Sequence, residues 1–157
     1  YATGPTDSLH VAFSLNVATL PSTPLPLVTL ADSEGGLVAG VYLMPDGSLV
    51  ARWNGSDAAS YLGVVAIGSW QQIEVGLDAT AGTGELAVWV DGSSQVTISG
   101  PVVPIASILL GSWSADQTYA LAIDSVSLAS TCLGSCPAPV SAPTSEPVIV
   151  TEGTPVS

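Results

Sequence analysis

The chain has no lysine and a single arginine, Arg52, against thirteen acidic residues, which gives a net charge of −12. A surface of that sign offers phosphates no cationic footprint, so nucleic acid and anionic membrane surfaces are poor partners. The lack of lysine also removes Schiff-base chemistry and lysine–asparagine cross-links. Charge of either sign is scarce, at 9% of residues against 47% hydrophobic, well under the usual quarter of a globular chain. Hydroxyl side chains, attached glycans or neighbouring subunits must therefore cover much of the surface. No apolar run reaches the roughly 18 residues that a bilayer-spanning helix needs, so membrane insertion is not expected. The start at Tyr1, with neither methionine nor a basic-apolar leader, reads as processed or excised.

Cysteine is nearly absent too. Cys132 and Cys136 are the only pair, in Thr131-Cys-Leu-Gly-Ser-Cys-Pro137. A lone CxxxC lacks the further ligands of a zinc site, so the expected state is a small intrachain disulfide. A ring that short restricts the unfolded chain by only roughly 2 kcal/mol, which makes it a local clasp. Its compartment meaning is stronger, since an oxidised pair implies an extracellular or cell-surface location.

What is present is alternation. From Leu9 to Leu128, short apolar runs are separated by turn residues with no sustained helical period, as in an all-β, two-sheet antiparallel sandwich. Val11, Phe13, Leu15 and Val17 share one strand face, leaving His10, Ala12, Ser14 and Asn16 on the wetter one. Ile73, Val75 and Leu77 alternate likewise with Gln72, Glu74 and Asp78. Leu37–Leu43 and Ser48–Trp53 flank Met44-Pro-Asp-Gly47, a hairpin turn signal. A second hairpin joins Glu85–Val90 to a strand around Gln95–Ile98 through Asp91-Gly92, with Leu86, Val88 and Val90 inward and Trp89 opposite. The strand from Tyr119 to Leu128 changes parity between Ile123 and Val126, which predicts a bulge near Asp124-Ser125. After Cys136 the composition turns to Pro, Ala, Ser and Thr, an extended polyproline-like linker. Beyond it Val148-Ile-Val-Thr151 reads as a strand in search of a partner. The expected organisation is a sandwich over 1–130, a disulfide clasp over 131–136, and a linker with a donor strand over 137–157.

Gly68-Ser-Trp70, Ile73-Glu-Val-Gly-Leu-Asp78 and Gly84-Glu-Leu-Ala-Val-Trp-Val-Asp-Gly92 together resemble the middle of laminin-G-like domains of the concanavalin A-like lectin superfamily. Tyr119-Ala-Leu-Ala-Ile-Asp-Ser-Val126 is similar to that family's closing strand, so the resemblance extends over Ser8–Ala129. It implies a jelly-roll fold, a packing role for Trp70, and binding, adhesion or scaffolding rather than catalysis. Family members with glycosidase activity carry closely spaced acids of the Glu-x-Asp-x-x-Glu type on one strand, and this sequence has none.

The residues themselves point the same way. Glu74 and Asp78 lie four apart on one strand, about 13 Å between Cα atoms, too far for a glycosidase carboxylate pair. They read as solvated acids. His10 is the sole histidine, so no Ser-His-Asp arrangement can be argued, and no enzyme activity is expected. Asp32, Glu34, Asp116 and Asp124 lack the dense spacing of a calcium loop, so neither metal nor cofactor is expected. Trp53 and Trp89 are the candidate sugar-stacking residues if exposed, with packing or a subunit interface the preferred reading for both. Asn54-Gly-Ser56 is a glycosylation sequon, and Thr144 and Ser145 lie in a stretch resembling O-glycosylated stalks.

Two functions follow. The first expectation is a structural subunit of a surface fibre, a homopolymer in which Val148, Ile149, Val150 and Thr151 form the subunit interface, against a tail that folds back on its own domain. Only Tyr1–Ser8 precedes the first apolar strand, which leaves a vacant edge for that segment to fill on a neighbouring copy. The alternative is a carbohydrate-binding or adhesion module tethered through its tail, with glycans as partners. Non-reducing mass spectrometry checks the clasp: an intrachain Cys132–Cys136 bond is expected, and two free thiols or a reducible dimer would contradict it.

Overall fold

The structure is a computed structural model that describes residues 2–6, 8–54, 58–78, 83–101, 103–111, 118–129 and 148–151. The chain order is β1 (Ala2–Thr6), β2 (Ser8–Thr19), β3 (Leu25–Ala31), β4 (Leu37–Leu43), β5 (Ser48–Trp53) and β6 (Ala58–Val64). There follow β7 (Trp70–Asp78), β8 (Gly84–Val90), β9 (Ser93–Gly100), β10 (Ile105–Leu110), β11 (Ala120–Ala129) and β12 (Val148–Thr151). They form two six-stranded antiparallel sheets, in the orders β1-β10-β3-β4-β5-β6 and β12-β11-β2-β7-β8-β9. This is the all-β two-sheet sandwich expected from the alternation, in the jelly-roll form that the resemblance implies, and no helix occurs among the described residues.

The core lies between the sheets. Phe13 and Leu15 of β2, Ile73 and Leu77 of β7 and Leu86 of β8 face Leu27, Leu43, Leu49 and Ile105 of the first sheet, all fully buried. Each such side chain contributes roughly 1.5–3 kcal/mol by leaving water. The turns carry the chemistry their residues predict. Gly47 takes a φ of 83° and donates its N–H to the Met44 carbonyl at 2.9 Å, closing the β4–β5 hairpin. Asp46 Oδ1 accepts from Ser48 N and Ser48 Oγ, which holds its carboxyl below the usual range. Asp91 and Gly92 have φ of 50° and 73°, the two left-handed residues of a type I′ turn between β8 and β9. The bulge in β11 falls where the parity change places it. The pairing passes from Asp124↔Ser14 to Ser127↔Ala12, with Ser125 at a φ of 54°.

Two expectations change. The edge thought vacant is not: Ala2–Thr6 is itself a strand, paired with β10 in the first sheet. Val148–Thr151 does form a strand, but it lies on β11 of its own chain, Ala120↔Thr151 through Ile123↔Val148. The first sheet has the N-terminal segment as its edge strand, and in the single chain Val148–Thr151 docks in cis.

Trp53 ends β5 with its indole directed between the sheets, 4% exposed. It packs on Gly84 and Gly100 of the second sheet, where a Cβ at either position would overlap the ring. Those glycines are thus required by close approach rather than by backbone conformation, since neither has a positive φ. Gly100→Ala is expected to cost roughly 1–3 kcal/mol by overpacking, lowering the melting temperature by about 2–4 °C for each kcal/mol. Calorimetry that finds the melting temperature unchanged would contradict this packing.

Candidate functional site

The sequence alternation gives the second sheet an outer face built from the even positions of β2 and β7. β2 and β7 pair from Ser8↔Asp78 to Asn16↔Trp70 without a shift in register. Their inward rows therefore stay inward along the whole ladder. The outward rows are His10, Ala12, Ser14 and Asn16 on β2, and Trp70, Gln72, Glu74, Gly76 and Asp78 on β7. β8 adds Trp89 opposite Glu74 and Ala87 opposite Gly76.

This face is not uniformly wet. Ala12, Ser14 and Ala87 are buried, and so are His10 at 6% and Glu74 at 4% exposed. Small residues make a low floor, and Gly76, with no side chain, sits between His10 and Ala87. The rings of His10 and Trp89 lean over it from opposite strands, with centroids 6.1 Å apart and planes at 46°. His10 Nε2 lies 3.9 Å from Glu74 Oε2, too far for a direct hydrogen bond. Glu74 Oε1 and Gln72 Oε1 are buried acceptors without a hydrogen-bond partner. Gln72 Nε2 donates to Ser14 Oγ at 2.7 Å. Asp91 anchors the region, accepting the Gln72 N–H on Oδ1 and donating its own N–H to the Gln72 carbonyl, each at 2.8 Å.

Burial pushes the Glu74 carboxyl up from its ordinary value, because a low-dielectric site disfavours the charged form. The result is a shielded acid beside an imidazole under a half-buried indole.

Several sequence expectations are corrected here. Glu74 is not a solvated acid and His10 is not on a wet face, because the outer face of β2 is covered almost as well as the inner. Trp53 is not a sugar platform, being locked in the core. Trp89 does lie on the outer face as expected. Trp70 is not in the core: it is 38% exposed, on the outer row with Gln72 and Glu74. Asn54 is exposed at the end of β5 with a φ of 51°. Cys132, Cys136, Thr144, Ser145 and Asp116 lie outside the described residues. Asp32 Oδ1 is engaged by the N–H groups of Glu34 and Gly36, and no metal-binding group of three forms among the described residues.

No protein-family model matches the chain, and a comparison with curated proteins finds no match. Solved structures do share its fold. Trypanosoma rangeli sialidase superposes with a TM-score of 0.64 at 16% identity, over 81% of this chain and 21% of that one. Sheep galectin-11, in complex with glycerol, gives 0.56 at 16% identity, over 82% of this chain and 95% of the galectin. An alginate lyase of polysaccharide lyase family 7 gives 0.52 at 12% identity, over 80% of this chain and 60% of the lyase. The chain spans about a fifth of the length of the sialidase. At these identities the likeness is one of fold alone, an antiparallel jelly-roll sandwich.

The expectation that the chain is not an enzyme is withdrawn. Enzymes stand among the proteins that share its fold, and the structure brings together an acid and an imidazole that a search along single strands cannot find. Glu74 and His10 are neighbours only because β2 and β7 pair, far apart in sequence.

A raised acid pKa in the folded state means that the native chain holds a proton the unfolded chain has lost. Stability from this group is therefore present at low pH and falls as pH rises from the ordinary glutamate value through the raised one. Glu74→Gln is expected to remove that dependence and to be the more stable form at neutral pH. Urea titrations at pH 4 to 8 check this, and parallel pH profiles for both proteins would contradict it.

Proposed function

We propose that this chain is an extracellular carbohydrate-binding module whose glycan lies on the outer face of the second sheet, over His10, Glu74 and Trp89. The observation that carries the reading is the pair of buried acceptor oxygens on Glu74 and Gln72 left without donors. Such atoms are costly to leave unsatisfied, and sugar hydroxyls are the donors that fit them. One hydroxyl set between His10 Nε2 and Glu74 Oε2 would accept from an imidazole N–H and donate to the carboxylate. The Trp89 indole supplies an apolar ring face for the sugar. The galectin and the two glycan-directed enzymes with the same sandwich add support for this class.

The finer placement as a laminin-G-like domain rests on the Gly68 to Gly92 and Tyr119 to Val126 motifs, and the extracellular location on the Cys132–Cys136 spacing. Assembly into a fibre now rests on the low surface charge alone, since Val148–Thr151 is engaged within its own chain. Processing of the bound glycan is a second reading, favoured by the His10–Glu74 pair, in which Glu74, its carboxyl pushed up by burial, takes the general-acid role.

A glycan array probed with the intact chain is expected to show binding. Trp89→Ala should weaken the best glycan by about tenfold or more, about 1.4 kcal/mol. Glu74→Gln separates the two readings: turnover lost with binding retained marks an enzyme, and no turnover in either form marks a binding module. An array without binding, or a Trp89→Ala chain that binds as well as the parent, would overturn the proposal.

A further inference from the structure

We infer that Trp70 is a second, distal platform for the same ligand, so that the outer face takes an uncharged oligosaccharide laid along β7 rather than a single sugar. This extension rests on the glycan-binding reading above. The unbroken β2–β7 register places Trp70 on the same face as Gln72 and Glu74, opposite the outward-facing Asn16. Trp70 lies four positions before Glu74 on β7, about 13 Å along an extended strand. Trp89 stands opposite Glu74 on β8, so the two indoles are set apart along the strands by a similar length. One sugar ring cannot touch both, and a chain of several can.

The ground between them suits such a ligand. Gln72 offers the unsatisfied acceptor Oε1, Ser14 a hydroxyl, and Asn16 a half-buried amide. Trp70 itself needs an account, because a large indole 38% exposed adds little to the core. A flat apolar ring at the end of a polar row is what a sugar's C–H face stacks on.

Charge sets the ligand's class. Arg52, the only basic residue besides the one histidine, lies on β5 in the other sheet, 5.1 Å above the Tyr42 ring. The glycan face instead holds Glu74, Asp78, Glu85 and Asp124, with Asp91 at its margin. His10, beside Glu74, is the one group there able to become positive. A uronate or sialate carboxylate would meet these acids along the row with no cation but a charged His10 to pair, whereas hydroxyls would meet no such repulsion.

Calorimetric titration of the intact chain with neutral gluco-, manno- and galacto-oligosaccharides, from mono- to hexasaccharide, alongside oligoguluronates, tests the inference. In the series that binds, affinity is expected to rise at least tenfold from the monosaccharide to the tetrasaccharide. Trp70→Ala should flatten that rise while leaving monosaccharide affinity and the melting temperature unchanged, and Trp70→Phe should restore much of it. A length dependence unaltered in Trp70→Ala, an affinity independent of length, or tighter binding of the oligoguluronate would overturn the extension alone. If no sugar of any length binds, the glycan reading falls and this extension with it.

Discussion

The pairing of β2 with β7 governs the rest of the molecule. Because the ladder runs from Ser8 to Asn16 without a bulge, every inward residue of the two strands meets its counterpart, and Phe13 and Ile73 lie side by side in the core. The same register carries every outward residue to one surface. A slip of β2 by one residue against β7 would turn its rows over, moving His10 into the core and Val11 to the surface while Glu74 of β7 kept its face. Core and candidate site are two faces of one ladder, so the packing that stabilises the sandwich also positions the polar groups.

Burial without charge is the second constraint. The chain buries polar groups on an outer face where water usually lies, and it does so over a floor of alanine, serine and glycine. In that setting an acid is held toward its neutral form and an imidazole is kept close without a direct hydrogen bond. Such an arrangement has no evident packing purpose, because Glu74 would be replaced at lower cost by an apolar residue if stability alone mattered. Groups perturbed by burial and set beside one specific partner are frequent at functional sites.

Much of the fold could be read from local pattern. Pro45-Asp-Gly47 and Asp91-Gly92 demand the backbone that their turns adopt, and the parity change near Asp124-Ser125 marks the bulge. The alternation in β2 and β7 assigns the inner rows correctly. The site was less legible, for three physical reasons. The neighbour of β7 is β2, more than fifty residues away, and no local signal selects it. Alternation says which residues share a face, but not that the outer face is itself covered, so His10 and Glu74 read as wet. The fate of a tryptophan depends on its parity and on what lies opposite. Trp53 meets glycines across the sandwich and is swallowed, whereas Trp70 shares the parity of Gln72 and Glu74 and emerges. The N-terminal strand was missed because Ala2-Thr-Gly-Pro-Thr6 carries no apolar alternation and its pairing with β10 is made through the backbone.

The outer face of the second sheet is the surface at issue, and chemical-shift mapping reads it residue by residue. Adding a neutral oligosaccharide to isotope-labelled protein should shift the indole N–H signals of Trp70 and Trp89 and the amides of His10, Gln72 and Glu74, leaving Tyr42 and Arg52 on the opposite sheet unmoved. Shifts confined to the first sheet's outer face, or a spectrum unchanged at saturating sugar, would contradict glycan binding there.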